Sequence, residues 1–350
     1  MIKNESVRNN RLVRHCFYFA ETVLKGSALR KKAEKLVKRF QGYDLSGVDQ
    51  KKLIADMLRM HALHGYGFDE YLVYRFYGKP MRERLSFISD WEHMGYACAV
   101  NDPKNDAIFD NKWNTYRRFR SFFGREIALC EGGEGEATYK QFISAHPEYV
   151  VKPLDASCGQ GVKVIRAGTP QPQYSEIVKD VKGSFLVEEL IHQVPETAKF
   201  HEASLNTVRV PAIRIDEKTK IIHPFFRVGQ HGNTVDNAGA GGIICEMDPE
   251  TGRIFAAMTE NGREFTVHPD TGEQIIGFTI PRWEEAKRFV AELSAVLPEN
   301  HYTGWDIALT EKGWVIVEAN RRGQFVWQIT SQVGSREEFD GYLRALGTRY

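Results

Sequence analysis

The sequence has no hydrophobic run long enough to cross a membrane and no closely spaced pair of cysteines. No stretch approaches the roughly 18 apolar residues that a membrane span needs. The first ten residues are polar and lack the apolar segment of a secretory signal. The cysteines are odd in number and widely scattered, at Cys16, Cys98, Cys130, Cys158 and Cys245. This pattern argues against a disulfide framework and predicts a cytoplasmic protein.

The motifs of the commonest nucleotide-binding folds are also missing. No GxxxxGK[ST] segment occurs, and neither Gly159-Gln-Gly161 nor Gly239-Ala-Gly241 continues to GxGxxG. These absences argue against a P-loop or a dinucleotide-binding fold. The eleven histidines form no HExxH pair, which excludes the commonest zinc-protease motif.

What is present is a chain of 350 residues, which is enough for two or three domains. Its net charge of +1 conceals an asymmetry: residues 1–42 hold 11 Lys or Arg against 3 Asp or Glu, and the remainder holds 36 against 43. The basic start fits a solvated helical face, a surface for an acidic polymer or membrane headgroups, or a contact with a second subunit. Because no aromatic residues interleave with the basic ones, we expect no nucleic acid partner.

Hydrophobic periodicity divides the chain into two parts. Apolar residues at helical spacing predict a mostly helical region over residues 1–94. From about residue 95, short β-branched runs alternate with helical segments, and two turn signals, at 248–252 and 270–272, indicate antiparallel hairpins. The predicted strands are 149–152, 162–166, 185–188, 207–215, 221–228, 243–247, 303–309 and 314–318, and the predicted helices are 112–123, 138–145, 176–181 and 283–297. The sequence therefore predicts an α+β fold.

A lysine and a glycine loop stand close together in this second part. Lys152 ends a predicted strand, and the loop from Ser157 through Gly159 to Gly161 follows. Glycines allow backbone N–H groups to approach phosphate oxygens, and the lysine adds a positive charge. The alternative is an ordinary glycine turn beside a surface lysine.

Acidic residues end another predicted strand. Glu188 and Glu189 precede Leu190 and Ile191, and such a strand end can offer backbone groups and a carboxylate to an adenine edge. Glu196, seven residues after Glu189, could bind ribose hydroxyls. A strand that ends in a solvated acidic turn is the alternative.

Three oxygen donors lie on a predicted hairpin near the end of the chain. A Thr-Glu-Lys-Gly turn joins its strands and would bring Asp306 beside Glu318 and Asn320. Glu318 and Asn320 are two residues apart, so they share one face of their strand. Such oxygens suit Mg²⁺; the alternative is a chance polar end of the hairpin.

Together, these segments resemble the ATP-grasp superfamily. The ordered set is Lys112, Lys152-Pro153, the Ser157–Val162 loop, 188–191, 206–209, and Asp306 with 318–320. Phe226–Gly229 and the glycine segment 237–243 are most similar to the sugar-transfer-associated group. The resemblance covers residues 95–330 and implies two α+β lobes that sandwich ATP. Within 95–350, the expected parts are a preceding segment (95–150), a nucleotide-binding lobe (151–228) and a metal and acceptor lobe (229–350).

The resemblance implies roles for individual residues. Lys112, Lys152 and the loop Ser157, Gly159 and Gly161 would contact ATP phosphates. Glu188, Glu189 and Ile191 would bind adenine, and Glu196 the ribose. Asp306, Glu318 and Asn320 would hold Mg²⁺ or Mn²⁺. Asn206, Arg209, Arg227 and Arg322 would act near the γ-phosphate and the acceptor.

The implied reaction is ATP-dependent ligation of a small-molecule carboxylate to an amine or hydroxyl group. It would proceed through an acyl phosphate, release ADP and phosphate, and serve cell-surface polysaccharide or secondary-metabolite biosynthesis. Arg321-Arg322-Gly323 stands where many relatives have a Ser/Pro-Gly turn. The resemblance therefore does not identify the substrate of this chain. The alternatives are a kinase of a sugar or small metabolite and a non-catalytic nucleotide-binding protein.

Overall fold

The computed structural model describes residues 11–40, 42–154, 161–233, 236, 239, 241–323 and 326–349. Its α-helices are α1 (Arg11–Arg39), α2 (Gln50–His64), α3 (Phe68–Val73), α4 (Met81–Arg84), α5 (Asp90–Val100), α6 (Asp106–Phe109), α7 (Lys112–Phe119), α8 (Gly135–Ala145), α9 (Tyr174–Val181), α10 (Pro195–Ala198), α11 (Trp283–Val296), α12 (Trp327–Ser331) and α13 (Arg336–Ala345). Short 3₁₀ turns span Pro103–Asn105, Arg120–Phe122 and Gly132–Glu134. Among these residues, no helix combines the length and the apolar character that crossing a membrane requires.

The strands form two antiparallel sheets. They are β1 (Ile127–Cys130), β2 (Tyr149–Pro153), β3 (Lys163–Ile165), β4 (Phe185–Glu189), β5 (Thr207–Ile215), β6 (Lys218–Ile221), β7 (Phe225–Val228), β8 (Ile243–Met247), β9 (Ile254–Thr259), β10 (Tyr302–Thr310) and β11 (Gly313–Asn320). The smaller sheet has the order β1-β4-β2-β3, and the larger has the order β11-β10-β5-β7-β8-β9, with β6 paired to β5. The predicted α+β class is confirmed.

Each sheet has its own helices and its own apolar core. The smaller sheet packs against α8 and α9 through residues such as Tyr139, Val151 and Ile177. The larger sheet packs against α11, where Val290 and Leu293 are fully buried. The molecule therefore presents two α+β lobes, each with its own sheet and core.

The sequence does not predict strands β1 and β9. The predicted strand 221–228 is also interrupted: only its first residue belongs to β6, and its last four residues form β7. β1 pairs with β4, and β9 pairs with β8. The segment 221–228 breaks because His223 has a φ of +44° and Pro224 has no N–H to donate. β6 therefore ends at Ile221, and β7 begins at Phe225.

The helical region at the start of the chain is closed by the last helices of the chain. Gln328 on α12 exchanges two side-chain hydrogen bonds of 2.9 Å with the backbone of Ile88. Arg336 on α13 forms an ion pair of 2.8 Å with Glu92 on α5. A Cβ atom at Gly334 would lie 2.2 Å from the Ser86 backbone, so the two segments touch at a point that only glycine allows.

Candidate functional site

A cleft of about 880 Å³ lies between the two lobes. Strands β2 and β4 line one side, and β5, β7, β10 and β11 line the other. The predicted site residues that line it are Lys112, Lys152, Glu188, Glu189, Ile191, Arg209, Arg227, Asp306, Glu318, Asn320 and Arg322. Residues that are distant in sequence thus share one cavity.

Three predicted site residues in the described part of the chain do not line this cleft, and two others cannot be placed. Ser157 and Gly159 lie outside the described residues. Glu196 is exposed on α10, and Asn206 is buried, where its amide group donates to the carbonyl oxygens of Thr197 and His201. Gly161 has a φ of +71°, and a Cβ atom there would lie 2.8 Å from the Pro153 ring. Asn206 thus holds a loop together, and Gly161 allows the chain to return against β2.

The centre of the larger lobe is a buried carboxylate between two arginines. Asp306 on β10 is opposite Arg209 on β5 in the strand register. Arg209 donates from Nε to Oδ1 and from Nη2 to Oδ2, the latter at 2.8 Å, and Arg227 Nη2 lies 3.1 Å from Oδ2. Burial raises the pKa of Asp306, but the two guanidinium groups outweigh burial and hold this pKa below its usual value. The carboxylate is therefore charged at neutral pH.

A second buried carboxylate, which sequence reasoning missed, orients Arg227. Asp236 Oδ2 lies 3.4 Å from Arg227 Nε and also accepts a hydrogen bond from the backbone N–H of Thr207 at 3.0 Å. Arg227 in turn donates to the Thr207 hydroxyl at 2.7 and 3.0 Å. Because Asp236 lies in a glycine-rich segment without a local pattern, the sequence gives no signal that pairs it with Arg227.

Glu318 and Asn320 offer oxygen donors on the neighbouring strand. Glu318 is directly opposite Asp306 across the β10–β11 hairpin, and Asn320 is opposite Gly304. Glu318 forms no ion pair with the described residues, and the Asn320 Nδ2 atom is buried without a hydrogen-bond partner among them. The Glu318 carboxylate and the Asn320 side-chain oxygen could enter the oxygen-rich coordination of Mg²⁺. The unsatisfied Nδ2 group of Asn320 is a hydrogen-bond donor and would pair with an acceptor such as a phosphate oxygen.

Asp306 could add a third ligand. A carboxylate has about four lone-pair positions, and the arginines use three of them. Among the described residues, no group of three or more His, Cys, Asp or Glu side chains is suited to hold a metal ion. Any metal here would therefore depend on the Asn320 oxygen as well.

On the opposite side of the cleft, Glu188 is held by two cations. Its Oε2 atom lies 2.8 Å from Lys152 Nζ and 2.7 Å from Arg125 Nη2. Burial raises the pKa of Glu188, yet Lys152 and Arg125 outweigh this and lower it to about 2. Arg125, which sequence reasoning missed, also donates to the Ile316 carbonyl oxygen at 2.6 Å. It therefore links the two lobes.

The end of β4 exposes backbone groups to the cleft. Glu189 is half-buried, and its backbone N–H donates to the Glu126 carbonyl oxygen at 3.0 Å. Beyond this point the backbone of Leu190 and Ile191 leaves the ladder, and no hydrogen bond joins it to the described residues. Lys112, at the start of α7, reaches the same cleft and donates to the Leu154 carbonyl oxygen at 3.4 Å.

Two arginines after β11 stand at another edge of the cleft. Arg321 forms ion pairs with Asp106 and, at 3.0 Å, with Asp110. Asn101 donates to the Arg321 carbonyl oxygen at 2.6 Å and so holds this turn. Burial, and to a smaller extent the charge of Arg322, lower the pKa of His93 on α5 to about 3.

Comparisons with solved structures return ligases of low sequence identity. A D-alanine–D-alanine ligase from Helicobacter pylori has a TM-score of 0.42 at 12% identity, with 71% of this chain and 63% of that chain covered. The ATP-grasp ligase PsnB, complexed with a minimal precursor, Mg and ADP, has a TM-score of 0.42 at 14% identity, with 71% of this chain and 62% of that chain covered. An N5-carboxyaminoimidazole synthetase from Staphylococcus aureus, complexed with ADP, has a TM-score of 0.41 at 9% identity, with 65% of this chain and 48% of that chain covered. The chain spans about half to two thirds of these structures.

No curated protein sequence matches the chain significantly. A family match, by contrast, covers most of it and includes both lobes and the cleft between them. Residues 93–340 match the family described as sugar-transfer associated ATP-grasp, so the chain belongs to this family and has an ATP-grasp fold preceded by a helical region.

Proposed function

We propose that the protein is an ATP-dependent ligase that joins a carboxylate to an amine or hydroxyl group and releases ADP and phosphate. The observation that carries this proposal is the juxtaposition, in one cleft, of the Arg209–Asp306–Arg227 cluster with Glu318 and Asn320. Phosphoryl transfer from ATP to a carboxylate brings several negative charges together, and this cluster supplies guanidinium groups and metal-binding oxygens at one place.

The smaller lobe would bind the nucleotide. Lys152 and Lys112 line the cleft where phosphates would lie, and Lys152 is already held in place by Glu188. The backbone of Leu190 and Ile191 is available to the edge of an adenine ring, because it has left the sheet ladder. Glu189 lies beside it, whereas Glu196 is exposed and does not line the cleft, which weakens its assignment to the ribose.

Glu318, Asn320 and Asp306 would hold Mg²⁺. When bound, the ion would offset the charge of the ATP phosphates. The protein's own contribution is the fixed position of these oxygens, since Asp306 pairs with Glu318 and Gly304 with Asn320 across the β10–β11 hairpin and Asp306 is fully buried.

The arginines would orient the reacting groups. A substrate carboxylate oxygen would attack the γ-phosphorus, with ADP as the leaving group. The amine or hydroxyl nucleophile would then attack the carbonyl carbon of the resulting acyl phosphate, form the new C–N or C–O bond, lose its proton, and displace inorganic phosphate. A guanidinium group can hold two oxygens of a carboxylate or phosphate at once. Arg227 and Arg322 line the cleft and would hold the acceptor in this way.

Product analysis tests the reaction class. In the presence of ATP, Mg²⁺ and pools of acids and amines, a ligase releases ADP and inorganic phosphate in equal amounts, and mass spectrometry detects the condensed product. A kinase would release ADP while the phosphate stays on a stable product. Accumulation of such a product would replace the ligase proposal with the kinase.

The variant Glu318→Gln tests the metal site within the same assay. It keeps the size of the side chain but removes an anionic ligand, so we expect a higher Mg²⁺ requirement and lower turnover with an unchanged melting temperature. Glu311→Gln, an exposed substitution on the turn of the same hairpin, is the matched control. Normal turnover of Glu318→Gln at low Mg²⁺ would contradict the metal assignment.

A further inference from the structure

The first half of α1 exposes an apolar face that the proposed ligase site does not use. Five of the ten large apolar side chains that are exposed among the described residues lie within thirteen positions of this helix. They are Leu12, Phe17, Phe19, Val23 and Leu24, with exposures between 52% and 82%. Single exposed apolar residues are ordinary, but a cluster of this kind marks an interaction site.

The opposite side of the same half-helix holds it on the protein. Arg14 and Tyr18 are buried, and the Tyr18 ring lies 4.8 Å from the His61 ring of α2. A Cβ atom at Gly65 would lie 3.0 Å from the Tyr18 ring, so Tyr18 fits against a position without a side chain. The outward direction of the apolar face is therefore set by the packing of the inward one.

The second half of α1 exposes positive charge on the helix that continues from this face. The helix departs from helical geometry at Lys25 and then packs onto α2 through Leu29, Ala33 and Val37. Its exposed basic residues are Lys25, Arg30, Lys31, Lys32, Lys35, Lys38 and Arg39. A single helix thus joins an apolar patch to seven cationic side chains.

We propose that α1 docks onto an anionic phospholipid membrane surface, with its first half in the interface and its second half against the headgroups. An interfacial helix needs apolar side chains that leave water and basic side chains that meet anionic lipid. The charge of the whole chain favours one orientation, because residues 1–42 carry +8 and the remaining residues carry −7. The basic helix is attracted to the surface, and the rest of the molecule is held away from it.

Two other occupants satisfy only part of this surface. A soluble acidic polymer would pair with the lysines, but it is hydrated and offers nothing to Phe19, Val23 and Leu24. A second copy of the chain would cover the apolar residues, but it would also bring two basic helices close together. The bilayer surface is the occupant that matches both halves of the helix.

Vesicle sedimentation with the full chain tests this proposal. We expect binding to vesicles of phosphatidylcholine mixed with phosphatidylglycerol and none to phosphatidylcholine alone. Raising the salt from 0.1 M to 1 M shortens the Debye length from roughly 10 Å to 3 Å and should weaken this binding. Equal binding to both vesicle types, or binding to neither, would overturn the proposal.

Two double variants separate the halves of the surface. Phe19→Ser with Leu24→Ser should weaken vesicle binding by at least about tenfold, because two apolar side chains no longer leave water. Lys31→Glu with Lys35→Glu should weaken it by a similar factor. The matched controls Phe255→Ser with Val333→Ser, and Lys218→Glu with Lys312→Glu, change exposed residues elsewhere and should bind normally.

The same variants distinguish the other occupants. If the serine variant leaves vesicle binding unchanged but converts a dimer into a monomer in sedimentation velocity, the surface is an interface between copies. If the chain binds a soluble polyanion as tightly as vesicles, and the serine changes have no effect, the surface is a polymer site. Either result overturns the membrane assignment and leaves the ligase proposal untouched, since none of these residues lines the cleft.

Discussion

Replacing Glu188 by glutamine should destabilise the protein, and the loss should depend on pH. The residue is 3% exposed and forms ion pairs with Lys152 and Arg125. Glutamine has nearly the same shape, but it leaves two cations without their shared counter-ion. Removal of one partner from a buried ion pair typically costs about 3–5 kcal/mol. We therefore expect a loss of this order in the free energy of unfolding at pH 7.

The pKa of Glu188 gives an independent magnitude and a direction. Although burial raises it, the two cations lower it to about 2, against 4.5 for an unperturbed glutamate. A difference of this size corresponds to about 3 kcal/mol between the charged and the protonated side chain. Because the pKa in the folded state is the lower one, this stabilisation is present above pH 4.5 and is lost as the pH falls towards 2.

The assay is urea unfolding of the wild type and of Glu188→Gln, followed by circular dichroism at several pH values from 7 to 3. The difference in free energy of unfolding should shrink below pH 4.5, as the wild-type carboxylate also takes up a proton. Glu136→Gln on α8 removes an exposed ion pair with Lys140 and should change stability by less than about 1 kcal/mol. A Glu188→Gln effect below about 1 kcal/mol, or one that is independent of pH, would refute the reasoning.

Three further predictions concern other charged groups. Asp306→Asn leaves two buried arginines without their carboxylate and should lower the free energy of unfolding by about 3–5 kcal/mol; a loss below about 1 kcal/mol in urea unfolding would contradict this. In calorimetry, Lys152→Met should weaken ATP binding by at least about tenfold and weaken adenosine binding much less, because a charged phosphate contact is removed. Equal losses for the two ligands would count against the assignment. Burial lowers the pKa of His223, but its two glutamate partners outweigh burial and raise this pKa to about 9. The stabilisation from these ion pairs should therefore be present below pH 6.5 and be lost as the pH rises through 9. The melting-temperature difference between wild type and His223→Gln should shrink over that range, and a constant difference would exclude this role.

Local patterns in the sequence are sufficient to predict much of the larger lobe. The run from Thr207 to Ile215 is long and apolar, and the structure confirms it as β5. The turn after Thr310 sets the register of β10 and β11 as far as the pair Ile307 and Ile316. A one-residue register shift between Asp306 and Ile307 then brings Glu318 opposite Asp306, so their proximity depends on this irregularity as well as on the turn. Strand β1, by contrast, has only four residues and no alternation, which is too short for a periodic signal.

Contacts between distant segments lie beyond such patterns. Arg125 and Glu188 are 63 residues apart and meet because β1 and β4 pair at the edge of their sheet. Without β1, the sequence could not place Arg125 near the cleft. Asp236 belongs with Arg227 for a similar reason, since the partner depends on how a glycine-rich segment folds back. The predicted roles of the site residues in catalysis remain predictions that the proposed assays address.

The closure of the helical region by the last helices has a consequence for synthesis of the chain. Gln328 and Arg336 complete the environment of Ile88 and Glu92, but a ribosome makes them more than two hundred residues later. The first helices must therefore wait, with part of their apolar surface uncovered, until almost the entire chain has been translated. A fragment that stops before α12 would expose this surface permanently, and it would be a target for chaperones and proteases rather than a functional domain.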